Sequence, residues 1–147
     1  MLVREFKISA QSDVLCLWEQ CNLTRPWNDP KLDLQRKLKG QPDWLLVGVD
    51  ADEIIGSVMV GYDGHRGWIN YLAVRPDQQR SGVGRALMME AERRLLGVGC
   101  PKINLQIRDD NRDAVAFYKS IGFSRDPVVS FGKRLIPDVP PADGTDR

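Results

Sequence analysis

Cysteine is scarce in this chain of 147 residues, and its three copies, Cys16, Cys21 and Cys100, have no metal-ligand spacing. An odd number of cysteines does not make a closed disulfide framework, and it fits a reducing compartment. We therefore expect a cytoplasmic protein with three unpaired thiols that fill apolar space. No metal site is expected.

The chain also has no large excess of positive or negative charge and no long apolar run. Lys and Arg number 21 against 20 Asp and Glu, so the overall electrostatic signature of a nucleic-acid-binding protein is absent. No apolar run approaches the roughly 20 residues of a transmembrane helix, and the charged N-terminus lacks the apolar core of a signal peptide. These absences predict a soluble domain without nucleic-acid or membrane partners.

The apolar pattern predicts the order β-α-α-β-β-β-α-β-α-β and thus a mixed sheet flanked by helices. Three apolar runs joined by short polar turns predict an antiparallel meander; they cover residues 44–49, 54–62 and 68–74. A βαβ unit follows, and the last predicted strand is Val128 to Ile136, whose edge could pair across a homodimer. We assign residues 1–136 to one domain and predict a disordered tail over residues 137–147, which are rich in proline.

A glycine loop connects the third strand of the meander to the next helix, with the sequence Gln79-Arg80-Ser81-Gly82-Val83-Gly84. Backbone amides at a helix N-terminus have no intrahelical partner and attract anions. Glycine keeps such a backbone open to a phosphate. Arg75, Arg80 and Arg85 make the surroundings locally positive, so the loop predicts a phosphate site; alternatively it is only a helix start with a solvated basic face.

Two well-known phosphate loops are excluded. A Walker A loop needs Gly-Lys-Ser/Thr before its helix, and the chain has none there. A dinucleotide-binding fingerprint needs a third glycine three residues after the second, but position 87 is Leu. If the loop binds phosphate, it does so as neither of these two types.

Three motifs occur in order along the second half of the chain: Leu72-Ala73-Val74-Arg75-Pro76, Gln79-x-x-Gly82-x-Gly84 and Asp110-Asn111-x-x-Ala114-x-x-Phe117-Tyr118-x-x-x-Gly122-Phe123. Taken together they resemble the GCN5-related N-acetyltransferase (GNAT) superfamily, and the likeness runs from about Leu2 to about Ile136. Within it, two segments (25–30 and 61–67) look similar to the small bacterial YpeA-type acetyltransferases. The resemblance implies an α/β (α+β) fold: a central, mostly antiparallel sheet with splayed strands and about four helices.

The resemblance also implies a function, namely transfer of an acetyl group from the co-substrate acetyl-CoA to a primary amine on a small molecule or peptide. Residues of a bulged strand would pair with pantetheine and the acetyl carbonyl, and the glycine loop would bind the pyrophosphate. Asn111 would bond pantetheine, unless it only caps its helix. The implied cofactor-binding residues are Leu72, Val74, Gln79, Arg80, Ser81, Gly82, Val83, Gly84, Arg85 and Asn111.

Tyr118 is implied to be the catalytic residue, standing near the cofactor sulfur. A tyrosine with a pKa near 10 can donate a proton to a departing thiolate, whose thiol has a pKa near 8.5. The alternative is a core aromatic whose hydroxyl is hydrogen-bonded. A non-catalytic acyl-CoA-binding or regulatory module would keep the loop without turnover.

The acceptor side is less defined by the sequence. The resemblance places Arg25 and Trp27 there, on the loop between the first two helices, together with Tyr71. Trp27 either contacts a ligand or covers the protein's own core. His65 is the only histidine, but its turn should lie at the end of the sheet opposite the cofactor loop. The other candidate bases are Tyr71, Asn70 and Asp63, and a water relay would need none of them.

Overall fold

A computed structural model describes residues 1–138 as a five-stranded sheet with helices on both faces. The spatial order of the strands follows the chain, from β1 to β5. Neighbours pair antiparallel except β4 and β5, which are parallel. The strands are β1 (Leu2–Glu5), β2 (Leu45–Asp50), β3 (Glu53–Tyr62), β4 (Gly67–Val74) and β5 (Ile103–Leu105); the helices are α1 (Gln11–Gln20), α2 (Pro30–Gly40), α3 (Val83–Gly97) and α4 (Arg112–Ser120).

The two faces of the sheet bury separate apolar clusters. Helices α1 and α2 cover one face, where Leu17, Trp18 and Leu34 pack with Leu45 and Val47. Helices α3 and α4 cover the other face and pack on alternate residues of the same strands; its core includes Leu46, Val58, Ile69, Leu87, Met88 and Tyr118. Each central strand is therefore buried on both sides, as the continuous apolar runs predicted.

Most predicted elements are confirmed, because their local signals agree with the packing. Asp29 caps α2, its carboxylate accepting a hydrogen bond from the Lys31 N–H at 2.9 Å, and Pro30 is the first helical residue. Helix α3 connects the parallel pair β4 and β5, so the predicted βαβ unit is present. Cys16, Cys21 and Cys100 are free thiols.

The last predicted strand is wrong. Residues 128–136 form no helix or strand, and Val129 and Phe131 are 81% and 93% exposed. Side chains hold this part of the chain beside the sheet instead: the Asn104 amide donates at 2.9 Å to Asp126, just before the segment, and the Gln106 amide donates to Ser130 within it. The expectation of a dimer rested on this strand and loses its basis. The predicted tail lies outside the described residues except for Pro137 and Asp138.

Within residues 1–138, none of the helices combines the length and the apolar character that crossing a membrane requires.

Candidate active site

Strand β4 carries a bulge at its centre, and its partner β5 ends beside it. Ser57 of β3 faces Ala73 while Met59 faces Asn70, so β4 has one extra residue over this stretch. Parallel pairing with β5 ends at Ile69. From Asn70 onward the β4 edge on that side has no strand partner, which is the predicted splay. Leu72 has no partner in the sheet, so its backbone is available to a ligand, whereas the Val74 carbonyl already accepts hydrogen bonds from Cys21 and Gln79.

The glycine loop follows the splayed end of β4 directly. Among residues 1–138, no acceptor is in place for the backbone N–H groups of residues 79–85. Gly82 is the N-cap of α3 with a φ of 88°, and no side chain caps the helix. The Gln79 amide donates to the Val74 carbonyl at 3.1 Å, which ties the loop to β4. The exposed loop thus presents a run of free donors at the positive end of a fifteen-residue helix.

The local positive charge comes from fewer arginines than the sequence suggested. Arg75 is paired, with Nη1 2.7 Å from Glu53 and Nε 2.7 Å from Asp77. These two carboxylates raise the pKa of Arg75 and cancel its charge for any ligand. Arg80 and Arg85 form no ion pair with the described residues and are exposed. Two arginines, therefore, remain for a phosphate.

Gly84 has a packing role in addition to the role predicted for it in the loop. It is buried in the first turn of α3, and a Cβ atom there would lie 3.1 Å from the Phe117 ring. The missing side chain therefore allows α3 to pack closely on α4. Gly82, by contrast, has open space around it and a backbone that favours glycine, as a loop open to an anion requires.

Tyr118 lies in the core cluster on the α3 and α4 side of the sheet, against which Leu72, Val74 and Phe117 pack. It is 9% exposed, and burial raises the pKa of its hydroxyl to about 12. No described residue bonds this hydroxyl. The hydroxyl oxygen keeps some exposure to solvent, because every fully buried side-chain polar atom of the described residues has a hydrogen-bond partner and this one has none. The hydroxyl is therefore protonated at neutral pH and, unlike that of a satisfied core tyrosine, has no hydrogen-bond partner among the described residues.

Asn111 caps α4, with its side-chain oxygen accepting from the Ala114 N–H at 3.1 Å. The structural alternative for this residue is thus confirmed. Its amide N–H groups have no partner among residues 1–138 and it is exposed, so the cap does not prevent a second contact.

The loop between α1 and α2 reaches across to the segment that follows β5. Trp27 is 53% exposed and so does not cover the protein's core. Its ring lies under the Arg108 guanidinium, 5.7 Å from the carbon to the ring centroid. Arg25 donates from Nη1 to the carbonyls of Asn22 and Thr24, each at 2.8 Å, and fixes the loop. The contact of Trp27 with Arg108 thus joins the loop between α1 and α2 to the segment that follows β5.

Tyr71 is not a free acceptor-binding group. Its hydroxyl donates to Asp33 Oδ2 at 2.7 Å and accepts from the Asn28 amide at 3.1 Å. Burial and the Asp33 carboxylate raise its pKa well above the usual range, which excludes it as a base at neutral pH. Asp33, which lies 38 positions away, and Ser57 were not predicted from the sequence; the one available signal was a serine inside an apolar strand.

The other candidate bases lie away from the loop or lack a titratable group. His65 and Asp63 are in the turn before β4, at the end of the sheet opposite the glycine loop, as predicted. Asp63 accepts from the backbone N–H groups of His65 and Arg66 and from Trp68, which lowers its pKa to about 2. It organises its turn and is a poor base. Asn70 has no titratable proton.

Comparison with known proteins agrees with this geometry. The sequence model of the acetyltransferase (GNAT) family matches residues 13–123. An acetyltransferase of Sodalis glossinidius is 46% identical over 139 residues, covering 94% of this chain and 98% of that protein.

Solved structures show the same fold at lower identity. One is an aminoglycoside acetyltransferase from a soil metagenome in complex with sisomicin, with a TM-score of 0.74, 20% identity and coverage of 92% of this chain and 96% of that one. Another is the NatC complex bound to Gag peptide and CoA, with a TM-score of 0.72, 20% identity and 85% coverage of both chains. With its splayed β4, its free loop amides and these matches, the chain belongs to the acetyltransferase (GNAT) family.

Proposed function

We propose that the protein transfers an acetyl group from acetyl-CoA to a primary amine by direct attack. The observation that carries this proposal is a pair of neighbouring backbone features: the unpaired edge of β4 and the free amides of residues 79–85. A thioester joined to a pyrophosphate by a long polar arm fits these two features. The amides and Arg80 and Arg85 would bind phosphate, and the β4 edge would pair with the arm.

The proposed chemistry needs little from side chains. The neutral amine attacks the thioester carbonyl, and the resulting oxyanion is stabilised by a β4 backbone N–H. The C–S bond then breaks and the thiolate leaves, taking a proton from Tyr118, while the amine nitrogen loses its proton to water. A phenol with a raised pKa gives up its proton less readily, but the same apolar surroundings raise the pKa of the thiol as well.

The acceptor would enter from the side of Trp27 and Arg108. Arg25 supports this loop from within, and Tyr71 lies beneath it at the β4 bulge. A solved relative of the fold is named for aminoglycosides and another is bound to a peptide, so both a small amine and a peptide amine belong in the test. We place the reaction in the cytoplasm.

Thiol release with a pooled library of small amines, peptides and lysine derivatives tests the proposal. Binding of acetyl-CoA is measured in parallel by calorimetry, and mass spectrometry names the acetylated group. We expect amine-dependent thiol release. Binding without release across all pools would instead identify a non-catalytic acyl-CoA-binding module, and absence of binding would overturn the whole assignment.

A further inference from the structure

The β4 bulge exchanges the faces on which the following side chains lie. Ile69 packs in the α3 and α4 cluster, and strict alternation would place Tyr71 and Ala73 on that face as well. Tyr71 and Ala73 instead pack on the α1 and α2 side, while Leu72 and Val74 face α3 and α4. The extra residue thus decides which side chains surround the thioester surface proposed above.

The side chain of Tyr71 stabilises the bulge and the exchange of faces that it causes. Its φ is 51°, a left-handed conformation that a residue with a Cβ atom seldom adopts. The ring stacks on Trp18 with centroids 3.9 Å apart. The hydroxyl donates to Asp33 of α2 at 2.7 Å, and Asp33 is itself fixed by Arg36 at 3.1 Å.

A second, buried chain of hydrogen bonds holds the backbone of the same residue. The Trp18 indole N–H donates to Ser57 Oγ at 2.9 Å, and the Ser57 hydroxyl donates to the Tyr71 carbonyl at 2.8 Å. Trp18 and Ser57 are both fully buried, and Ser57 is the one polar side chain in the core of the described residues. Side chain and carbonyl of Tyr71 are thus fixed from α2 and from β3.

We propose that Tyr71 is a positioning residue for acetyl transfer, whose contacts with Asp33 and Ser57 hold the β4 bulge in the register that presents the strand's free edge to the thioester. The inference rests on the proposed function. Tyr71 does not touch the reacting atoms; it acts through the backbone of Leu72 to Val74. Loss of its anchor should therefore affect turnover more than binding of the nucleotide end of acetyl-CoA.

The test compares Tyr71→Phe with Tyr62→Phe. Both variants lose one phenol oxygen and keep the ring, but Tyr62 is at the far end of β3. Tyr71→Phe should lower kcat about tenfold, the equivalent of one lost hydrogen bond to a charged group, with KM for acetyl-CoA changed less than about twofold. Asp33→Asn, which still offers an oxygen to the phenol, should retain more activity than Asp33→Ala.

Hydrogen exchange measured by mass spectrometry reports the bulge without any reaction. Exchange of the β4 amides over residues 70–75 should accelerate about fivefold in Tyr71→Phe and stay unchanged in Tyr62→Phe. An equal kcat in the two variants, or unchanged β4 exchange, would overturn the positioning role. If the wild-type protein transfers no acetyl group, the proposed function fails by itself, and the exchange result still decides whether Tyr71 holds the bulge.

Discussion

At the scale of single residues, the hydroxyl of Tyr118 is the group whose chemistry is most constrained. It is buried between two aromatic neighbours, with centroids 5.2 Å from Phe117 and 5.4 Å from Phe123. These rings remove water, so the phenolate form is disfavoured and the pKa rises to about 12. Such a group can donate a proton but cannot serve as a base near neutral pH.

We predict that Tyr118→Phe lowers kcat about a hundredfold, the usual loss for a removed general acid. The Kd of acetyl-CoA should stay within about twofold of the wild-type value, because the loop amides and arginines supply the binding. Stopped-flow or steady-state thiol release and calorimetry measure the two quantities. A turnover equal to that of wild type would assign Tyr118 to the core alone.

The pKa of Tyr118 also predicts the shape of the pH profile. The acid is fully protonated below about pH 11 when its pKa is about 12, whereas an amine acceptor with a pKa near 10.4 becomes reactive as pH rises. kcat/KM should therefore increase from about pH 6 to about pH 10 without a falling limb. A falling limb near pH 10 that disappears in Tyr118→Phe would show that the phenol ionises at its ordinary value.

Short local patterns marked the loop and the helix that carries Tyr118, and the family resemblance implied the bulge of the strand before the loop. The sequence did not reveal the Tyr71 anchor. Asp33 is separated from Tyr71 by 38 positions and Ser57 by 14, and such contacts arise only when helix and strands pack. Arg75 was assigned to the phosphate site for the same reason, since its partner Glu53 lies 22 positions away on another strand.

At the scale of elements, local signals predicted the helices and the meander well and failed at the last strand. Residues 128–136 have the β-branched and aromatic composition of a strand, but the adjacent β5 is three residues long and offers little edge to pair with. Five apolar side chains of this segment consequently stay at least 67% exposed: Val128, Val129, Phe131, Leu135 and Ile136. The strand propensity of residues 128–136 is therefore not sufficient, because a strand also needs a neighbouring strand to pair with.

The packing of α3 on the sheet depends on a glycine in β3. A Cβ atom at Gly56 would lie 2.8 Å from Leu87, 3.0 Å from Val83 and 3.1 Å from the Ala73 carbonyl. Because Val83 is the first residue of α3, this contact also sets the height of the helix N-terminus above β4. Gly56 thus connects core packing to the phosphate loop.

We predict that Gly56→Ala lowers the free energy of unfolding by about 1–3 kcal/mol, the usual cost of overpacking a core, and weakens acetyl-CoA binding as α3 moves. Gly97→Ala is the matched control, since Gly97 ends the same helix with no atom within 4 Å of the new Cβ. Urea unfolding and calorimetry measure both effects. Equal midpoints for the two variants would contradict the close packing.

At the scale of the whole molecule, a net charge of +1 conceals an uneven distribution of charge. Some arginines are neutralised in pairs, such as Arg75 with Glu53 and Arg94 with Glu5 at 3.2 Å. Arg80 and Arg85 have no such partner among the described residues, and the first turn of α3 has no acidic residue. Two unpaired positive charges therefore lie beside the free amides at the start of α3.

This distribution predicts a local salt effect on acetyl-CoA binding. Raising the salt from about 0.1 M to about 1 M shortens the Debye length from about 10 Å to about 3 Å, which should raise the Kd of the wild-type protein about tenfold if two exposed charge pairs are lost. The double variant Arg80→Gln with Arg85→Gln should bind about tenfold more weakly at low salt and respond little to added salt. Arg66→Gln, which removes one charge at the far end of β4, should behave as wild type.

A salt response that persists in the double variant would mean that the charge recognising the cofactor lies elsewhere. The free amides of the loop would then act without the two arginines.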